Sequence, residues 1–193
     1  QMCIRDRATT ILRKPIGWIK LDVDFDIDVW QKEASAISSH LVEHREGEGH
    51  DGWRSCCLHG LGIDKTRTDN VAPITDYHWT TLTELCPNIT EFWKNFPTEG
   101  YFRLRFMEVA AGGLVSPHCD APNGIKNTDF DMMDHIIPIN VAITHPDDCY
   151  MDLQTYGRVP WKSGSAFLVN ITDTHTVVNN SVFPRMHMIA HCF

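Results

Sequence analysis

Four side chains in the second half of the sequence have the types and spacing to hold a metal ion and an organic acid: His118, Asp120, His175 and Arg185. His118 and Asp120 stand two residues apart in a short extended piece that follows a strand-like run and a Gly-Gly pair, RLRFMEVAAGGLVSPHCD at 103–120. That spacing puts both side chains on one face of a strand. His175 opens another strand-like run, and Arg185 follows ten residues on. Two imidazoles and one carboxylate can occupy one face of an octahedral iron(II), leaving three adjacent positions for a bidentate 2-oxo acid and dioxygen. A zinc site built from the same ligands would close at four or keep one water. The guanidinium separates the two cases. Arg185 can clamp the far carboxylate of 2-oxoglutarate in a bidentate pair, and a plain zinc hydrolase has no need of one.

A histidine two residues before an acid is a weak signal by itself, and the chain holds three such pairs: His44/Glu46, His118/Asp120 and His145/Asp147. His44/Glu46 lies in the glycine-bearing loop HREGEGHDG, which has no rigid element to hold two ligands, although loops of this length are often functional. His145 is followed by Pro146 and two aspartates, which is turn chemistry. Fifty-five residues separate Asp120 from His175, room for the three strands a barrel must run before a distant histidine returns beside the first pair.

The elements that must position these groups follow from periodicity. LDVDFDID, from Leu21, alternates apolar and acidic residues and predicts a half-buried strand. Asp28 is placed to cap a following helix whose Trp30, Ala34, Ile37 and Leu41 share a face. WRSCCLHGLG predicts a strand, 65–79 is mostly loop, and a short helix runs through Phe92, Trp93 and Phe96 to Pro97 and Gly100. Strand-like segments then follow at 101–109, 135–143, 149–155, 164–170, 175–179 and 185–192, divided by Gly, Pro, Asn and Asp. Helices first and many short strands afterwards predict a mainly β protein with N-terminal helices, its second half a double-stranded β-helix of jelly-roll, cupin-like form.

At 193 residues the chain is long enough to bury a core as one domain. Residues 1–7 have no apolar periodicity and are set aside as a scar, leaving 8–193 as a single domain, with 8–84 a substrate-side α/β part and 85–193 the jelly-roll core. The net charge of -8 disfavours nucleic acid and anionic membrane surfaces as partners. No apolar run reaches the roughly 20 residues of a membrane span, and the chain reads as cytoplasmic. Seven cysteines, an odd number without a CxxC pair, make neither a disulfide framework nor a zinc knuckle.

With these residues in place, the C-terminal half resembles the aspartyl/asparaginyl β-hydroxylase family of iron(II)- and 2-oxoglutarate-dependent oxygenases, including its bacterial amino-acid and proline hydroxylase relatives. The resemblance runs from about residue 85 to the end. It includes LCP at 85–87, the RLRF strand before HCDAPNG, HIIPI from His135, Trp161 and Gly164, and the pattern Asp173, His175, Val177, Asn179, Arg185. It implies His118 and His175 as iron ligands, Arg185 on 2-oxoglutarate, and His135 on the cosubstrate's other carboxylate. Some members have no carboxylate at the position matching Asp120. Its presence here completes the triad and disfavours halogenation.

Alternation also groups His135 with Ile137, Ile139 and Val141, which makes a core histidine the other reading. Arg103 and Arg105 share a strand face and either meet an acidic substrate at the barrel mouth or form structural ion pairs. His187 and His191 share the face of Arg185, with packing or hydrogen bonding as their default role. The implied substrate is an aspartyl or asparaginyl side chain, or a free amino acid such as proline. A non-catalytic metal-binding cupin and a zinc hydrolase are the readings from other classes.

Overall fold

The computed structural model describes residues 16–67, 72–120 and 137–192. Residues 1–7 and His135 therefore lie outside the described residues. The elements in chain order are β1 (Trp18–Leu21), α1 (Ile27–Ala36), β2 (Val42–Glu43), β3 (Asp51–Gly60), β4 (His78–Trp79), α2 (Pro87–Lys94), β5 (Tyr101–His118), β6 (Ile137–Thr144), β7 (Cys149–Leu153), β8 (Gly157–Arg158), β9 (Ala166–Val169), β10 (His175–Asn179) and β11 (Arg185–Cys192). Every strand pairing is antiparallel, and the path β1-β9-β6-β11-β5-β10-β7-β8 curls into a jelly-roll half-barrel, with β3 joining β5 and carrying β2 and β4.

The long strand β5 makes this curl possible. Its first half pairs β11 on one side and β3 on the other, and its last residues pair β10. Between the halves the chain bends at Gly112, φ 71°, and at Gly113, where a Cβ would stand 2.8 Å from the Asp51 carbonyl oxygen and 2.9 Å from that of Ala110. Only glycine permits both the left-handed turn and the close strand crossing. Asn179 secures the bend from the end of β10: its side-chain nitrogen donates to the carbonyls of Val109 at 3.0 Å, Ala110 at 2.9 Å and Phe183 at 2.8 Å.

Period-two alternation divides each strand between two apolar clusters. Leu104 and Phe106 of β5, with Met186, Met188 and Ala190 of β11, face the helices, where Trp30, Ala34, Ile37, Ile89 and Trp93 cover them. Met107, Val115, Ala142, Met151, Phe167 and Val177 fill the inside of the curl. The helices are joined to one another by Glu33, whose carboxylate accepts from the backbone N–H groups of Asn88 and Ile89, each at 2.9 Å, and from the Asn88 side chain at 2.7 Å. It satisfies the first turn of α2, where Cys86 offers no side-chain cap.

Three local expectations differ, one being β5, which runs on to His118 where the sequence predicts a strand at 101–109. The alternating stretch after Leu21 is not a strand: β1 ends there because its partner β9 has only four residues, Leu21 pairing with Ala166 at its end. Val23, Phe25 and Ile27 still pack on the helical cluster, so the alternation buries one side without a ladder. The helix cap is Asp26 rather than Asp28, its carboxylate accepting from the N–H groups of Asp28 at 3.0 Å and Val29 at 3.1 Å.

Candidate active site

The antiparallel pairing of β10 with β5 sets His175 directly opposite His118, ring centroids 4.4 Å apart. Asp120, just beyond the end of β5, is held by its backbone N–H, which donates to the Ile171 carbonyl at 2.9 Å. Ligand atoms of His118, Asp120 and His175 all lie within 4.8 Å of one another. The two imidazoles are oriented in the same manner. His118 Nδ1 is 2.8 Å from the carbonyl oxygen of Ser116, and His175 Nδ1 is 2.9 Å from that of Asp173, each two residues back along the chain. A carbonyl only accepts, so both rings carry their proton on Nδ1 and present the Nε2 lone pair to the cluster. Burial lowers the His175 pKa and His118 adds to this, while the Asp173 carbonyl opposes it. A neutral ring is the form that ligates a metal.

Asp173 fixes the turn before β10. Its carboxylate accepts from the backbone N–H and the hydroxyl of Thr155, each at 2.8 Å. The donor set of two Nε2-directed imidazoles and one carboxylate on adjacent strands fits an octahedral iron(II) that keeps one face open.

The cavity beside this cluster is walled by Trp53, Val115, Met151, Val169 and Val177, and two strand arginines enter it, Arg185 from β11 and Arg105 from β5. Arg185 is 3 % exposed, with its Nε unpartnered among the described residues. Burial pushes its pKa down to about 10, so it remains charged at neutral pH. Arg105 is 5 % exposed and donates from Nη1 to the Thr66 carbonyl at 2.7 Å. Arg103, on the same strand face, does not line the cavity; its guanidinium packs over the rings of Phe102, 5.0 Å to the centroid, and Tyr77, 5.7 Å.

The structure brings four more residues to this site: Arg45 and Asn140, which sequence reasoning missed, His44, whose pair with Glu46 was set aside, and His191, given only a default packing or hydrogen-bonding role. Arg45, in the glycine-bearing loop, reaches Asp120 with Nη2 3.4 Å from the carboxylate and stands over the Trp53 ring. Its φ of 57° is left-handed, the only such non-glycine residue among the described ones. His44 is sealed beneath it, bonded through Nδ1 to Ser55 Oγ at 2.9 Å and Thr66 Oγ1 at 3.1 Å. Burial, with Arg105 adding, pushes the His44 pKa down to about 2. Asn140 and His191 complete the inner wall. The length and glycine content of the 44–52 loop were the only signal for Arg45, and His44 had in addition its spacing to Glu46. Inward phase on a strand was the only signal for the others.

The same fold occurs in solved oxygenase structures at low sequence identity. A 2OG-Fe(II) oxygenase family oxidoreductase from Burkholderia pseudomallei superposes with a TM-score of 0.56 at 14% identity, over 99% of this chain and 90% of that one. A Pseudomonas putida prolyl-4-hydroxylase superposes with a TM-score of 0.53 at 14% identity, covering 98% of each chain. The non-heme alpha ketoglutarate dependent epimerase SnoN from nogalamycin biosynthesis gives 0.62 at 14% identity, over 97% of this chain and 81% of its own. No curated protein matches by sequence. Residues 23–193 match the family model of aspartyl/asparaginyl beta-hydroxylases, and the chain belongs to that family of enzymes. The match reaches well into the N-terminal part, beyond the resemblance read from residue 85 onward.

Proposed function

We propose that this protein is an iron(II)- and 2-oxoglutarate-dependent hydroxylase of an aspartyl or asparaginyl side chain, or of a free amino acid such as proline. The observation that carries the reading is the pair of histidines presenting Nε2 toward one carboxylate, with a sealed guanidinium in the wall of the same cavity. His118, Asp120 and His175 hold the iron, and Arg185 takes the far carboxylate of 2-oxoglutarate as a bidentate pair. Bound iron, 2-oxoglutarate and dioxygen supply the oxidising power that converts an unactivated C–H bond to C–OH. The chain binds and orients these partners. Trp53 and the valines and methionines of the inner cluster keep water from the site.

The charges around the cavity bear on the substrate. Three arginines, Arg45, Arg105 and Arg185, line the cavity against one lining carboxylate, Asp120, with Glu48 pairing Arg45 from outside it at 3.8 Å. Iron adds two positive charges and 2-oxoglutarate two negative ones, so an excess of positive charge remains for a substrate carboxylate. Arg105 is the group we assign to meet it. An amino-acid or peptide substrate bearing an acid fits this better than a neutral one.

An anaerobic titration of metal-free protein with iron(II), then with 2-oxoglutarate, tests the reading through the weak visible charge-transfer band of a chelated 2-oxo acid. The band is expected in the unaltered protein and absent in His175→Ala. In Arg185→Ala it is expected to need roughly 100-fold more cosubstrate, because a buried charge pair is lost. A protein that binds iron yet gives no band would overturn the proposal.

A further inference from the structure

Behind Arg185 runs a chain of hydrogen bonds that ends on a peptide carbonyl. Arg185 Nη2 lies 2.9 Å from His187 Nδ1, His187 Nε2 lies 2.9 Å from His145 Nδ1, and His145 Nε2 lies 3.0 Å from the carbonyl oxygen of Cys149. The carbonyl sets the direction of the whole series. It can only accept, so His145 carries its proton on Nε2 and keeps a lone pair at Nδ1. His187 must then donate from Nε2, which leaves a lone pair at its own Nδ1 facing the guanidinium. Asn140 Oδ1 lies 2.8 Å from the same Nδ1; an oxygen can only accept, so this direction requires the amide to be turned over, bringing its nitrogen to the lone pair.

Neither histidine lines the cavity. His187 is fully buried and His145 half-buried, with Trp161 edge-on to the His187 ring at 4.7 Å. Burial keeps both rings neutral, with Arg185 adding to the effect: His145 is pushed down to about 4 and His187 well below the usual imidazole range. A bidentate pair requires the guanidinium plane to be fixed before the carboxylate arrives. A ring with the opposite tautomer would point an N–H at Nη2 and displace it.

We infer that His145 and His187 are positioning residues, which fix the Arg185 guanidinium for the cosubstrate carboxylate through a one-directional chain anchored at Cys149. This rests on the role proposed for Arg185. The His145/Asp147 pair that looked like turn chemistry in the sequence thus contributes its histidine to the cosubstrate side of the site.

The test compares two substitutions and two acids by the anaerobic charge-transfer titration. His145→Asn keeps an acceptor near the place of Nδ1, whereas His145→Gln keeps a donor near Nε2 and loses that acceptor. 2-Oxobutyrate chelates through the same 2-oxo acid group but has no far carboxylate for Arg185. His145→Gln is expected to weaken 2-oxoglutarate about tenfold and leave 2-oxobutyrate unchanged, and His145→Asn to stay within about twofold for both. His187→Asn against His187→Leu repeats the comparison one bond closer to Arg185, should a His145 variant fail to fold. Loss of both acids alike, equal effects of Asn and Gln, or no effect of Gln would each overturn the inference. A band with neither acid in the unaltered protein would instead overturn the proposed function on which it rests.

Discussion

Each candidate ligand histidine is aimed by a backbone carbonyl two residues earlier, and for His175 that carbonyl belongs to Asp173, whose own carboxylate is bonded twice to Thr155. Asp173 therefore acts on the candidate metal site without touching it. Asp173→Ala is expected to cost about 1–2 kcal/mol in urea unfolding, from two lost hydrogen bonds, and to weaken iron(II) about tenfold in a chelator competition. An unchanged iron affinity would show that β10 alone aims the ring. At this scale the grouping of His118, Asp120, His175 and Arg185 around one cavity was legible, because two short segments carried the residue types between them. Arg45 was not legible. It meets Asp120 only because Ser116, two residues before His118, receives the loop: its N–H donates to His50 Nδ1 at 3.1 Å and its hydroxyl donates to the Gly49 carbonyl. No local spacing in the sequence records that docking.

Among the elements, those with a clear period and a partner on each side were read correctly, β10 and β11 to the residue. The residues after Leu21 had the period and lacked the partner. β5 shows the opposite error: the Gly-Gly pair looked like a turn after 101–109, yet the strand continues through it to His118 because β3 and β10 pair beyond the bend. The helices depend on a contact invisible to pattern reading, the Glu33 carboxylate at the start of α2. Glu33→Ala is expected to destabilise the protein by about 2–3 kcal/mol, since three donors lose a charged acceptor. Iron binding at saturating protein stability is expected to remain, because both helices lie on the outer face of the sheet. Urea midpoints read beside the iron titration check both statements.

The molecule as a whole keeps many imidazoles out of water. His44 and His187 are the most thoroughly sealed of them, 3 % and 0 % exposed, and both have pKa values far below 6.5. Below pH 6.5 the unfolded chain takes up protons at these positions and the folded chain does not, so stability falls as the pH falls. The two together are expected to remove about 2 kcal/mol between pH 6.5 and 5.5, measured as a drop in urea midpoint. His44→Gln should remove the His44 share of that loss, about 1 kcal/mol, while the other buried histidines keep theirs. No helix among the described residues is long and apolar enough to cross a membrane. What the whole curl depends on most is β5, which carries Arg105 inside its first half and His118 at its end. A shift of one residue in its pairing would turn both side chains to the opposite face together. A misregistered molecule would thus lose the proposed anion and metal sites in the same event and contribute no partial turnover. The specific activity of a preparation then counts native molecules, and titrating iron-binding sites per chain becomes a direct assay of how much protein has folded.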